Sequence, residues 1–236
     1  MMDRKKGKYN LGMPKPGRLY IVATPIGNPK DITLRAFETL RDVDAVICEE
    51  LREGLRLLKS VAVDAKAILT LNEHNEKEYA SELALRMLNG ESFALISDAG
   101  TPVFADPGAQ LVDLAYSYGI QVVPVPGASS LTATLSCLNI KLDTFYYAGF
   151  LPREPDKRRM ELFRLKNLKT AIVLLDTPYR LSALLADVQK SFGKNRQCLL
   201  ALDISLPTEL IVQGTLEEVQ KMSGGRKFEF VLIVYP

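Results

Sequence analysis

Four turns in this 236-residue chain combine Gly or Pro with polar residues directly after a run of β-type residues. They are Thr24-Pro25-Ile26-Gly27-Asn28-Pro29, Ser97-Asp98-Ala99-Gly100-Thr101-Pro102, Pro126-Gly127-Ala128-Ser129-Ser130 and Asp176-Thr177-Pro178. Glycine lets a backbone approach a ligand closely, and proline stiffens the loop. Taken singly, each turn is ordinary punctuation. Four of them at strand ends are what the ligand-binding edge of an α/β sheet requires. The second turn has the most chemistry, because Asp98 and Asp106 flank its Ala99-Gly100-Thr101-Pro102 core. Carboxylates repel phosphate and suit a cation or a hydroxyl-rich ligand. The phosphate-cradling patterns, Gly-x-x-x-x-Gly-Lys-Ser/Thr and a Gly-x-Gly-x-x-Gly that opens a helix, are absent from the sequence. S-adenosylmethionine carries a sulfonium, an ammonium and a ribose, and its needs fit this loop. Asp106 also has a plainer reading, as a helix N-cap or as part of the Asp106-Pro107-Gly108 turn.

The elements that must position these turns alternate. Leu19-Tyr20-Ile21-Val22-Ala23 is a continuous apolar run, as expected of a strand covered on both faces. Asn28 or Asp31 can cap a helix running to about Leu40, with Leu34, Phe37 and Leu40 on one face. Strands are expected over residues 45–48, 93–96 and 121–125, and helices over 51–59, 76–88 and 105–118. Gly90 and Gly119 stop two of these helices. Strand, helix, strand at this spacing is the pattern of a parallel sheet. Beyond Pro126-Gly127, strands are expected over residues 144–150, 171–175, 197–203, 209–214 and 227–235. Helices are expected over 129–138, 158–166, 179–192 and 216–222. Adjacent strands late in the chain predict a mixed sheet. The fold class is therefore α/β in two domains, residues 18–126 with a mostly parallel sheet and 127–236 with a mixed one, preceded by a basic arm at 1–17.

Composition sets limits. With 47% hydrophobic and 25% charged residues the chain reads as globular. No apolar run is long enough to cross a bilayer, and no hydrophobic segment follows the basic N-terminus, so a cytoplasmic location is expected. Cys48, Cys137 and Cys198 are widely spaced and read as small buried apolar residues. With no Cys-x-x-Cys pair and His74 as the single histidine, no metal site is expected. A net charge of +2 does not by itself argue for nucleic acid. Distribution says more: residues 153–169 hold Arg153, Lys157, Arg158, Arg159, Arg164, Lys166 and Lys169 against three acids. A solvated helix face or an RNA contact would both account for that run. Tyr146, Tyr147 and Phe150 lie just before it and could stack a base.

Taken in order, six segments resemble the tetrapyrrole (corrin/porphyrin) methylase superfamily, on the branch of ribosomal RNA small subunit methyltransferase I. They are Tyr20-Ile21-Val22-Ala23-Thr24-Pro25-Ile26-Gly27-Asn28, Asp31-Ile32-Thr33-Leu34-Arg35-Ala36, Glu73-His74-Asn75-Glu76, residues 97–102 with Asp106-Pro107-Gly108, Pro124-Val125-Pro126-Gly127, and Gly149-Phe150-Leu151-Pro152-Arg153. The resemblance runs from about residue 19 to the chain end. It implies a tetrapyrrole-methylase-like architecture with S-adenosylmethionine in a cleft between two α/β domains, and a homodimer. The implied activity is 2′-O-methylation of a cytidine in 16S rRNA, so rRNA or the small ribosomal subunit is the expected partner. Implied cofactor contacts are Pro25, Ala99, Gly100, Thr101, Phe104, Ser129 and Ser130, with Asp176 and Ala201 carried over only by position after a strand.

A ribose hydroxyl is a poor nucleophile and benefits from a base. Candidates are Glu49, Glu50, Asp98 and His74, the last with the most suitable ordinary pKa. Arg35 could anchor a substrate phosphate or pair with a neighbouring carboxylate. The chain also departs from the branch. The usual Glu-Asp-Thr-Arg reads Glu49-Glu50-Leu51-Arg52, and the usual Ala-Arg-Glu-Leu-Thr-Lys reads Ala201-Leu202-Asp203-Ile204-Ser205-Leu206, without its two basic residues. Longer members carry a further C-terminal segment. These changes spare the cofactor motifs and bear on the substrate. A small-molecule, tetrapyrrole-type methylase and a cofactor-binding paralogue without rRNA activity are the alternatives.

Overall fold

The computed structural model describes residues 15–236. Arg4, Lys5, Lys6 and Lys8 of the basic arm lie outside the described residues. The chain divides into two compact units. Among the described residues, one comprises 15–24 and Ile32–Gly127; the other comprises Pro25–Asp31 and Ala128–Pro236.

The first unit holds five strands: β1 (Arg18–Val22), β2 (Ala45–Cys48), β3 (Ile68–Thr70), β4 (Phe93–Ile96) and β5 (Gln121–Val125). They pair in the order β3-β2-β4-β1-β5, every pair parallel. Four helices connect them: α1 (Leu34–Asp42), α2 (Leu51–Ser60), α3 (Glu76–Leu88) and α4 (Ala109–Ser117). The period-two alternation of strand side chains splits the core into two layers. Leu19, Ile47, Phe93 and Leu95 meet Leu83 and Met87 of α3 and Leu111 of α4. Val22, Val46, Ala94 and Ile96 meet Ala36 and Leu40 of α1 and Leu58 of α2. A sheet covered on both faces explains why its strands read as unbroken apolar runs.

Local chemistry corrects several expected boundaries. Thr33 caps α1, its hydroxyl accepting from the Ala36 amide, so neither Asn28 nor Asp31 is the cap. Pro29–Asp31 forms a separate 3-10 turn. Leu34 is 83% exposed, because as the first helical residue it sits ahead of the buried stripe. The helix expected from residue 105 begins at Ala109. Pro107 and a Gly108 with φ of +126° interrupt the apparent periodicity. Strand β3 is missing from the sequence reading: three half-buried residues at a sheet edge give no periodic signal.

The second unit holds β6 (Phe145–Gly149), β7 (Ala171–Asp176), β8 (Gln197–Leu202), β9 (Leu210–Thr215) and β10 (Phe230–Val234). Their order is β6-β7-β10-β8-β9, parallel between β6 and β7 and antiparallel elsewhere. Helices α6 (Pro155–Lys166), α7 (Leu181–Phe192) and α8 (Leu216–Ser223) cover one face, while α5 (Ser130–Ser136) packs on the other. The Pro25–Asp31 turn lies against the loop after β8. A Cβ on Gly27 would stand 2.7 Å from the Ile204 carbonyl oxygen. The altered 201–206 stretch thus supports a motif turn of this unit.

Cys48 and Cys198 are buried, and burial first of all pushes their thiols up to about 11 and about 12. Cys137 is exposed at the end of α5, contrary to the expectation that all three are buried. No helix among the described residues is long and apolar enough to cross a membrane, and those residues contain no metal-binding cluster.

Candidate active site

All five strands of the first unit are parallel, so their carboxyl ends share one edge. Thr24, just beyond β1, is joined there to the turn after β4. The Thr24 amide donates to the Gly100 carbonyl at 2.8 Å, and the Gly100 amide donates back to the Thr24 carbonyl at 3.2 Å. The buried Thr24 hydroxyl lies 3.1 Å from the Ser97 carbonyl and 3.3 Å from that of Gly100. Gly100 adopts φ of +85°, a conformation costing an L side chain roughly 1–2 kcal/mol. Ser97 ties the loop at a second point: its Oγ accepts from the Ala99 amide at 3.3 Å and donates to the Ala99 carbonyl at 3.2 Å. Asp106 is half-buried and is not the cap of α4. That role falls to Glu76, whose Oε1 accepts from the Gly108 and Gln110 amides, both at 2.9 Å.

Carboxylates converge at this edge. Burial pushes the carboxyls of Glu49, Asp98 and Asp106 above their ordinary range. Neighbouring negative charge adds to the rise, from Asp98, Asp106, Glu73 and Glu50 on Glu49, and from Glu53, Asp106 and Glu50 on Asp98. Such crowding costs free energy that a bound cation relieves. Burial and a half-exposed position single out Glu49, at the end of β2. Glu50 is exposed at the start of α2 and makes no side-chain cap.

The other candidates separate. His74 is exposed on the turn before α3. Its neighbours brace that turn: the Asn75 amide nitrogen donates to the Thr70 carbonyl at 3.1 Å, and its oxygen accepts from the Asn72 amide at 2.8 Å. Arg35 is exposed and donates to the Pro124 carbonyl at 3.4 Å, so its structural partner is backbone and not the carboxylate considered from sequence. Ala99, Thr101 and Phe104 are exposed along the loop. Pro126-Gly127 closes against β1, where a Cβ on Gly127 would meet the Ala23 Cβ at 3.1 Å.

In the second unit Pro25 is buried, Ser129 precedes α5 as its N-cap and Ser130 opens the helix. Ala201 is fully buried within β8, hydrogen-bonded in register with its neighbouring strands, and its side chain joins the core beneath α5. Asp176 ends β7. Its Oδ1 accepts from the Thr177 amide at 2.8 Å and faces Arg180 at 3.2 Å, while its buried Oδ2 has no hydrogen-bond partner. Asp176 lines a cavity of about 660 Å³ with Phe150, Arg153 and Tyr179.

Two arginines fold the Gly149-Phe150-Leu151-Pro152-Arg153 segment around that cavity. Arg180 donates to the carbonyls of Leu151 and Pro152, at 3.0 and 2.9 Å. Arg158 donates to the Arg153 carbonyl at 2.9 Å and pairs with Asp187 at 2.7 Å. Arg158 is buried, which removes it from the basic surface expected at residues 153–169. Lys157, Arg159 and Arg164 of that run pair with Glu154, Asp156 and Glu161. Arg153, Lys166 and Lys169 are exposed without a carboxylate within ion-pair reach among the described residues. Tyr146 and Phe150 are exposed, and Tyr147 packs into the core. The roles of Thr24, Glu76, Arg158 and Arg180 escape sequence reasoning because each depends on a partner far along the chain: backbone for Thr24, Glu76 and Arg180, and the Asp187 carboxylate for Arg158.

Residues 18–220 match the family model of the tetrapyrrole (corrin/porphyrin) methylases. The chain belongs to that family. Its curated relatives include ribosomal RNA small subunit methyltransferase I of Xylella fastidiosa, 38% identical over 226 residues, 94% of this chain and 82% of the relative. The enzyme of the same name from Pseudomonas aeruginosa is 40% identical over 92% of this chain and 78% of its own length. That of Leptospira biflexa is 37% identical over 92% of this chain and 90% of its own. Among solved structures, uroporphyrin-III C-methyltransferase from Thermus thermophilus, complexed with S-adenyl homocysteine, superposes with a TM-score of 0.65 at 20% identity, covering 93% of this chain and 97% of that one. A cobalt precorrin-4 methyltransferase gives a TM-score of 0.65 at 20% identity, over 92% and 94% of the two chains. The tetrapyrrole enzymes share the fold; the rRNA enzymes share the sequence as well. The chain is a methyltransferase of this family.

Proposed function

We propose that this chain transfers a methyl group from S-adenosylmethionine to the 2′-hydroxyl of a cytidine in 16S rRNA, acting in the cytoplasm as a homodimer. The observation that carries the reading is the carboxylate-flanked loop locked to Thr24 through Gly100, in a chain whose 37–40% identical relatives are rRNA methyltransferases. The crowded carboxylates and the glycine at φ of +85° fit a cationic ligand held close to backbone. Pro25, Ala99, Gly100, Thr101, Phe104, Ser129 and Ser130 would hold it. The bound donor supplies an electrophilic methyl group. The protein's part is alignment, worth up to roughly 7–11 kcal/mol of barrier in the best cases, and acceptance of the ribose proton. Glu49 is our choice of base, because burial and neighbouring charge already raise its affinity for a proton. Arg153, Lys166 and Lys169, with Tyr146 and Phe150, would meet RNA through phosphate contacts and stacking.

A tetrapyrrole-type substrate is disfavoured, since the chain is 20% identical to those two enzymes against 37–40% for the rRNA methyltransferases. The test is incubation of 30S subunits lacking the modification with the chain and labelled S-adenosylmethionine. Label on 16S rRNA is the expected result. Binding of cofactor without transfer would favour the cofactor-binding paralogue.

A further inference from the structure

The Glu73-His74-Asn75-Glu76 motif is drawn to attention by its histidine, yet the contacts belong to its last two residues. Asn75 anchors the motif to the sheet edge through the Thr70 carbonyl at 3.1 Å. Glu76 then reaches across to a different helix. One of its oxygens accepts from the amides of Gly108 and Gln110, both at 2.9 Å, across 32 and 34 residues of chain. These are N-terminal amides of α4, which its own N-cap residue, a glycine, does not satisfy with a side chain. The position is also stiff. Gly108 has φ of +126°, and a Cβ there would meet Leu95 Cδ2 at 2.6 Å.

Gly108 ends the single loop that begins at Ser97 after β4. The near half of that loop is held by the Ala99 amide on the Ser97 Oγ and by the hydrogen bonds that Gly100 exchanges with Thr24. Its far end is held by Glu76, on a motif that Asn75 ties to the β3 edge. From this we infer that Glu76 is a positioning residue for the cofactor loop: by fixing the Gly108 turn it sets the far end of the loop whose near half runs from Ser97 to Thr101. A merely structural cap would stabilise α4 alone. A positioning residue also sets cofactor affinity.

This inference rests on the reading of the 97–102 loop as a cofactor site, and the experiment keeps the two apart. S-adenosylhomocysteine binding is measured by calorimetry for the full chain, Glu76→Gln and Glu76→Ala. Gln keeps the acceptor oxygen, so its Kd should stay within about threefold of the unmodified chain, whereas Ala should weaken binding about tenfold, as loss of a helix cap would. In turnover with 30S subunits, Glu76→Ala should raise KM for S-adenosylmethionine and leave KM for the subunits unchanged. If Glu76→Ala does not fold, Glu76→Asp replaces it: its arm is one methylene shorter, and the same weakening is expected. Binding by the unmodified chain together with equal binding by the Ala or Asp variant overturns the positioning role. No binding by the unmodified chain overturns the cofactor reading itself.

Discussion

Thr24 and Gly100 exchange backbone hydrogen bonds in both directions, at 2.8 and 3.2 Å, across 76 residues of sequence. The exchange ties the residue two beyond β1 to the loop after β4. The Thr24 hydroxyl adds contacts to the carbonyls of Ser97 and Gly100. Thr24→Val preserves shape and removes only the hydroxyl. It should cost about 1–2 kcal/mol in urea unfolding and weaken S-adenosylhomocysteine binding several-fold. Unchanged affinity would show that the loops need no such tie.

Gly100 should tolerate no long side chain. Its φ of +85° is unfavourable to other residues, and it is among the residues proposed to hold the cofactor. Gly100→Arg should abolish cofactor binding while leaving a folded chain by circular dichroism. Calorimetry that still detects binding would move the cofactor away from this loop.

Burial raises the carboxyl pKa of Glu49, Asp98 and Asp106 above their unfolded values. The sign follows from proton uptake: between the unfolded and folded values the folded chain binds more protons. Stability is therefore lost as pH rises through that window, and ionised carboxylates strain the fold above it. Cofactor binding runs the other way, because a cation needs them ionised. Affinity should fall as pH drops through the elevated folded values, above the usual carboxylate range. Calorimetry from pH 7 downward checks this, and a flat profile would remove the carboxylates from the site.

Glu49→Gln keeps size and hydrogen-bonding capacity but cannot accept a proton at neutral pH. If Glu49 is the base, kcat should fall about 10²–10⁴-fold, with a much smaller change in cofactor Kd. His74→Ala, at an exposed position with no contact to the loop, should leave kcat within about twofold. The reverse ranking in single-turnover assays would assign the proton to His74.

Arg158 and Asp187 form a buried pair at 2.7 Å. Removing one member strands the other, so Arg158→Ala should cost about 3–5 kcal/mol and loosen the loop from Phe150 to Arg153, whose carbonyls it holds. Denaturant unfolding and proteolysis at Arg153 report both effects.

The sequence by itself determined much of this protein. Unbroken apolar runs such as Ala45–Cys48 and Phe93–Ile96 mark strands covered on both faces, and Gly and Pro mark turns, because these signals are local in the chain. The family motifs drew the 97–102 loop forward as the proposed cofactor site in the same way. What required the tertiary structure was every role that depends on distant backbone. Thr24 reads as one threonine in a turn until Gly100 lies opposite. Glu76 reads as the start of its own helix until it caps another. Arg158 reads as surface charge until Asp187 and the carbonyls after Leu151 enclose it. Three-residue β3 gave no period, and the start of α4 was hidden because Ala105 and Asp106 are compatible with helix while Pro107 and Gly108 end that option only in context. Period and turn chemistry are written in neighbouring residues; hydrogen-bond partners and burial are settled only when the chain returns on itself.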